Sequence, residues 1–230
     1  MKIRALLALL AVSVSFSQLS SAWAGGYIQL SGAPIFQKTD RYSGDTGLGG
    51  TFEAKTINAA SGLGYDFRGT LGYAFWNKML VGFTYDTGRA PLKGEAVPNQ
   101  SAGRDQLEKF TDMGPTLGLI AGRFHFLGTY LFSGKRSYSD KDIDDGSGLN
   151  MRDNFYEQKL SSGFQVNVGY TAPLSRIFSL GISLIYKSAS YKSGTFTSAE
   201  NPADNYTDRA FTSKPVEAEL NPMISMVFAF

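Results

Sequence analysis

The chain has 230 residues, with 22 Lys and Arg against 20 Asp and Glu, a formal charge of +2, one His, no Cys, 26 Gly and 13% aromatic residues. A balance this close to neutral argues against a nucleic-acid partner. The lack of Cys excludes a disulfide framework, a thiolate metal site and a lipid-anchoring cysteine. Residues 1–24 read as a cleaved secretory signal peptide. Lys2 and Arg4 form a basic start, Ala5 to Phe16 an apolar and small-residue run, and Ala22-Trp23-Ala24 a small-x-small cleavage site. Ser13, Ser15, Ser17, Gln18 and Ser20 interrupt the run, which falls short of the roughly 20 apolar residues of a membrane helix. Residues 25–230 are then expected to form one domain, formally neutral because the leader carries two cations and no acid.

From there the pattern has a period of 2. Leu63, Tyr65, Phe67, Leu71, Tyr73 and Phe75 share one parity, opposed by Gly64, Asp66, Arg68, Thr70, Gly72 and Ala74. Val81, Phe83 and Tyr85 oppose Gly82, Thr84 and Asp86. Phe164, Val166, Val168 and Tyr170 oppose Gly163, Gln165, Asn167 and Gly169, and Phe178, Leu180, Ile182, Leu184 and Tyr186 oppose Ser179, Gly181, Ser183 and Lys187. In the last segment Leu220, Pro222, Ile224, Met226, Phe228 and Phe230 oppose Glu217, Glu219, Asn221, Ser225, Val227 and Ala229. Strands separate such sets onto two faces, whereas helical spacing would mix them.

The pattern predicts strands near 26–37, 61–75, 79–88, 114–124, 126–136, 158–172, 177–190 and 216–230. Short turns are expected at Trp76-Asn77-Lys78, around His125 and at Pro173 to Arg176. Long polar loops are expected at roughly 38–60, 89–113, 137–157 and 191–215. Short turns on one side and long loops on the other are the habit of outer-membrane barrels. The predicted fold class is all-β: an eight-stranded antiparallel up-and-down transmembrane β-barrel, with both termini and the short turns periplasmic and four long loops outside. Phe75, Trp76, Phe124, Phe126, Tyr170, Phe178, Phe228 and Phe230 gather at the turn side and Tyr85, Phe132 and Tyr186 nearer the loops, as two interfacial girdles would. A soluble barrel or sandwich with one buried face is the competing architecture.

The C-terminal strand ending in Phe228 and Phe230 resembles that of bacterial outer-membrane proteins, and the architecture of residues 25–230 resembles the small eight-stranded barrels of the OmpA and OmpX kind. The resemblance implies location in the bacterial outer membrane and contact with its lipids, including lipopolysaccharide. It also implies recognition of the last strand by the outer-membrane assembly machinery, and a monomer. The separate peptidoglycan-binding domain of the two-domain members is not expected.

A barrel of eight strands has an interior just wide enough for side chains or one small ligand. Parity sends Asp66, Arg68, Asp86, Gln165, Asn167, Lys187, Glu217 and Glu219 inward, with Thr70, Thr84 and Ser183. Buried charges of both signs are expected to pair and close the lumen; the alternative is a narrow gated path for ions or small solutes. Arg68 is expected within reach of Asp66, Asp86 or Glu219. Eight-stranded lipid A deacylases and palmitoyltransferases work with a His and a Ser near the outer surface. His125, expected in a periplasmic turn, cannot serve that role, so no catalytic residue is assigned. Asp140, Asp142, Asp144, Asp145 and Gly146 suggest a calcium loop, but an EF-hand needs Gly at position 6 and Glu at position 12, where Asp145 and Met151 stand. A solvated acidic loop flanked by Lys135, Arg136, Arg152 and Lys159 is the plainer expectation, and no metal or cofactor is assigned. Function is thus expected in a scaffold whose external loops contact an unidentified surface partner.

Overall fold

The computed structural model describes residues 25–35, 64–75, 78–92, 106–140, 155–197, 205–211, 214 and 216–230. The predicted leader, Trp76, Asn77 and Asp142 to Gly146 of the acidic segment lie outside the described residues. The strands are β1 (Gly25–Ile35), β2 (Gly64–Phe75), β3 (Met79–Leu92), β4 (Gln106–Ala121), β5 (Phe124–Leu131), β6 (Ser133–Asp140), β7 (Phe155–Pro173), β8 (Phe178–Thr197), β9 (Tyr206–Ala210) and β10 (Val216–Ala229). Every pairing is antiparallel, and each strand of the ring pairs with its sequence neighbours. β10 returns to β1 through the register Tyr27↔Ala229 to Gly32↔Ile224, which closes the sheet. A closed ladder satisfies backbone donors and acceptors internally, the condition for crossing a bilayer with strands.

Ten strand segments make an eight-stranded barrel. β5 and β6 are one wall strand divided at Phe132, because both pair with β4 on one side and β7 on the other. β9 pairs with the far end of β8 on the edge that β10 uses, so β9 and β10 are likewise two segments of one wall strand. β9 falls in the segment expected to be the fourth loop. The strands also run further toward the loop end than predicted: β3 to Leu92, β4 from Gln106 and β8 to Thr197.

Burial follows parity. On β2 Tyr65, Phe67, Leu71, Tyr73 and Phe75 are exposed while Asp66, Arg68, Thr70 and Ala74 are buried. From Tyr65 to Phe75 is about 33 Å along the strand at roughly 3.3 Å per residue, or about 25 Å of depth at a tilt near 40°. That is the height of a barrel's apolar band. The exposed aliphatic and aromatic set continues around the ring through Val81, Leu117, Phe126, Val166, Ile182 and Ile224. Aqueous monomers rarely expose apolar patches beyond a few hundred Å². An apolar outside around a charged inside reverses a soluble barrel and defines an outer-membrane-type β-barrel. Rings cluster near the turn end as Phe124–Tyr170 and Phe178–Phe228, with centroids 5.3 and 5.0 Å apart, and nearer the loops as Phe164–Tyr186 at 5.8 Å.

Candidate functional site: the barrel interior

The inward side chains form layers along the barrel axis. At the turn end Tyr27, Ala74, Leu80, Leu127 and Val227 make an apolar plug, with Ile120 packed against it. Above it lies a layer of neutral polar groups. Thr70, Thr84, Thr116 and Thr129, on four successive wall strands, link their hydroxyls at 2.8, 2.6 and 2.8 Å. Opposite them the Gln29 amide nitrogen approaches Ser31 and Ser225 at 3.2 and 3.3 Å, and Ser183 bridges to Ser225 at 2.7 Å. Each such bond is worth about 0.5–1.5 kcal/mol net, but leaving one partner bare would cost more.

His125 belongs to this layer, which corrects the sequence expectation. The turn is Gly122-Arg123, with Gly122 at φ 62°, and His125 is already the second residue of β5, 3% exposed and facing inward. A two-residue turn needs positive φ, which glycine adopts without a Cβ penalty. His125 Nε2 lies 3.2 Å from Ser183 Oγ and 3.3 Å from Gln29 Nε2. A Ser–His contact alone suggests a nucleophile and base. Ser183, however, sits mid-strand in ladders with both β7 and β10, so its neighbouring amides are engaged and supply no oxyanion donors.

The charged layer lies above. Arg68 Nη2 donates to Asp86 Oδ2 at 3.0 Å, across the register pair Arg68↔Asp86. The Gln165 amide oxygen, turned toward the guanidinium, accepts from Arg68 Nε at 3.0 Å. Lys187 Nζ reaches Asp86 at 3.2 Å, Asp112 at 3.0 Å and Glu219 at 3.6 Å, and stands 4.1 Å from the Phe110 ring centroid. Asp66 takes its hydrogen bond from Asn221 Nδ2 at 3.0 Å. Arg136 is the largest hub. Fully buried, it pairs with Glu108 at 3.1 Å, with Glu217, and with Glu219 at 2.5 Å, its guanidinium 5.2 Å from the Phe110 ring. Leu131, Leu160, Ala189 and Tyr191 form a second buried apolar cluster beside this layer.

The structure therefore brings Asp66, Arg68, Asp86, Lys187, Glu217 and Glu219 into one interior. Of the three carboxylates considered for Arg68, the hydrogen-bonded one is Asp86. Sequence reasoning missed Glu108 and Asp112, because β4 begins at Gln106 rather than near 114, and it placed Arg136 beside the acidic loop. A bulge moves Arg136 inward. β5 and β4 pair as Thr129↔Thr116, but β6 and β4 pair as Ser133↔Met113, so one strand holds an extra residue and its parity flips.

No protein-family model and no curated protein matches this sequence. Solved structures do. The attachment invasion locus protein Ail of Yersinia pestis, solved with the heparin analogue sucrose octasulfate, aligns at 12% identity and a TM-score of 0.46 over 90% of this chain and 99% of its own. Neisserial surface protein A aligns at 13% identity and 0.42 over 91% and 100%. The outer membrane protein OprG of Pseudomonas aeruginosa aligns at 12% and 0.42 over 93% and 99%.

Proposed function

We propose that this protein is a small integral barrel of the bacterial outer membrane that acts as a sealed scaffold, its turns and termini periplasmic and its external loops carrying recognition. The observation that supports the reading most is the Arg136 hub. A fully buried guanidinium tied to Glu108, Glu217 and Glu219 spans the lumen between β4, β6 and β10. Removing one partner of such a group leaves a charge stranded, which costs roughly 3–5 kcal/mol, so the layer resists opening. Asp66, Arg68, Asp86, Asp112 and Lys187 extend the seal, and the apolar plug of Tyr27, Leu80, Leu127 and Val227 stops the turn end. Phe228 and Phe230 serve as the assembly motif read by the outer-membrane machinery. Lipids, lipopolysaccharide among them, cover the apolar band of a monomer. No catalytic role, metal or cofactor is assigned.

One observation favours a narrow cation path as the second reading: the buried interior holds Asp66, Asp86, Glu108, Asp112, Glu217 and Glu219 against Arg68, Arg136 and Lys187. Refolded protein in potassium-loaded liposomes distinguishes the two. The scaffold reading expects potassium efflux no faster than from empty liposomes. Efflux that scales with protein content would establish the path.

A further inference from the structure

The barrel is not zipped evenly. β10 pairs with β8 along nearly its whole length, from Val216↔Ser190 to Phe228↔Phe178, and β1 pairs with β2 out to Ile35↔Gly64. Among the described residues the ladder between β1 and β10 ends at Gly32↔Ile224, leaving Ala33, Pro34 and Ile35 without a partner on β10.

The cause is local. Phe230 N donates to Gly26 O at 3.0 Å, so in this antiparallel ladder the pairs on even positions are the hydrogen-bonded ones. Continuing the register from Gly32↔Ile224 would set Pro34 against Pro222, in the place of the next such pair. Neither has an N–H to give, and proline inside a sheet ends a ladder. Inside the barrel the gap is crossed by a side chain: Asn221 of β10 reaches past β1 to Asp66 of β2 at 3.0 Å.

An apolar groove of about 540 Å³ lies at the end of this seam. Its lining includes Pro34, Val168, Ile182, Leu184, Pro222 and Ile224 from four neighbouring strands. Val168, Ile182, Leu184 and Ile224 belong to the exposed apolar belt, so the groove is continuous with the lipid-facing surface. What meets such a surface in a membrane is hydrocarbon.

We propose that the Pro34–Pro222 seam is a lateral cleft that holds a hydrocarbon chain of a membrane lipid, a binding site in the barrel wall where the ladder is open. The chain fills the groove against Ile182, Leu184 and Ile224, while Asn221 and Asp66 keep the opening from reaching the lumen. The inference rests on the reading of the protein as a membrane barrel.

The test uses full-length protein in phosphatidylcholine vesicles doped with a phosphatidylcholine carrying a photoreactive diazirine in one acyl chain, with label sites mapped by peptide mass spectrometry. The cleft predicts several-fold more label at Pro34, Leu184, Pro222 and Ile224 than at Leu71, Phe83 and Leu117, which are lipid-facing on the other wall. Equal labelling around the circumference would overturn the cleft and leave the membrane reading intact. Absence of label at all these positions would overturn both. The double variant P34V/P222V restores two N–H donors; it should keep heat-modifiable migration and lose the excess label. An excess that persists in the folded variant would also overturn the proposal.

Discussion

Arg136 on β6 and Glu219 on β10 meet across the lumen, guanidinium nitrogen to carboxylate oxygen at 2.5 Å, although β7 and β8 separate them around the wall. The contact ties one side of the cylinder to the closing strand. With Lys187 at 3.6 Å from the same oxygen, Glu219 joins Arg136 to Lys187.

Arg136→Ala takes the guanidinium from three buried carboxylates at once. The expected loss is about 3–5 kcal/mol, read by urea unfolding in lipid vesicles. Arg136→Lys keeps the charge but not the planar fork, and should recover part of the loss. A loss for Arg136→Ala within the range of ordinary surface substitutions would contradict the hub.

Arg68→Met should cost less, about 1–3 kcal/mol, because Asp86 keeps Lys187 at 3.2 Å. A double-mutant cycle with Asp86→Asn should give a coupling of roughly 0.5–3 kcal/mol. Additive single effects would mean that the 3.0 Å contact contributes nothing to stability.

Gly169 lies against the His125 ring, and a Cβ placed there would collide with Cε1, Nε2 and Ser183 Oγ. Gly169→Ala should destabilise the barrel by about 1–3 kcal/mol through overpacking. Combining it with His125→Ala should cost less than the sum of the two single changes. Strict additivity would place the ring elsewhere.

On the outer face depth should govern cost. Leu71 and Phe75 are both exposed on β2, but Leu71 lies four residues in from the turn end. Leu71→Arg near mid-depth should cost about 2–4 kcal/mol, and Phe75→Arg at the rim about 0–1 kcal/mol, in vesicle-embedded protein. Equal penalties would argue against a lipid-facing band at this height.

Much of the barrel was legible because lipid and lumen impose opposite polarity on alternate residues. In β2, in β3 from Val81 to Asp86, in the first part of β8 and in β10 the two faces alternate, and the inward positions of Asp66, Arg68, Asp86, Lys187, Glu217 and Glu219 follow from it. The rest was hidden for physical reasons. Over Gln106–Met113 the inward set mixes Glu108 and Asp112 with Phe110, while the outward set includes Lys109, so hydropathy does not alternate. That stretch reads as loop although it is strand. Arg136 could not be placed from parity, because the extra residue at Phe132 reverses the faces beyond it. His125 was misplaced by the length of three residues between a supposed turn centre and the real one at Gly122-Arg123, whose only sequence signal is the glycine.

The most direct test of the sealed interior is planar-bilayer recording of the refolded wild-type barrel beside Arg136→Ala. The sealed scaffold predicts no steady conductance from the wild type and intermittent, cation-selective openings from the variant, in which Glu108, Glu217 and Glu219 lose the guanidinium that spans the lumen and water and cations can enter. A steady conductance from the wild-type protein, unchanged by Arg136→Ala, would contradict it.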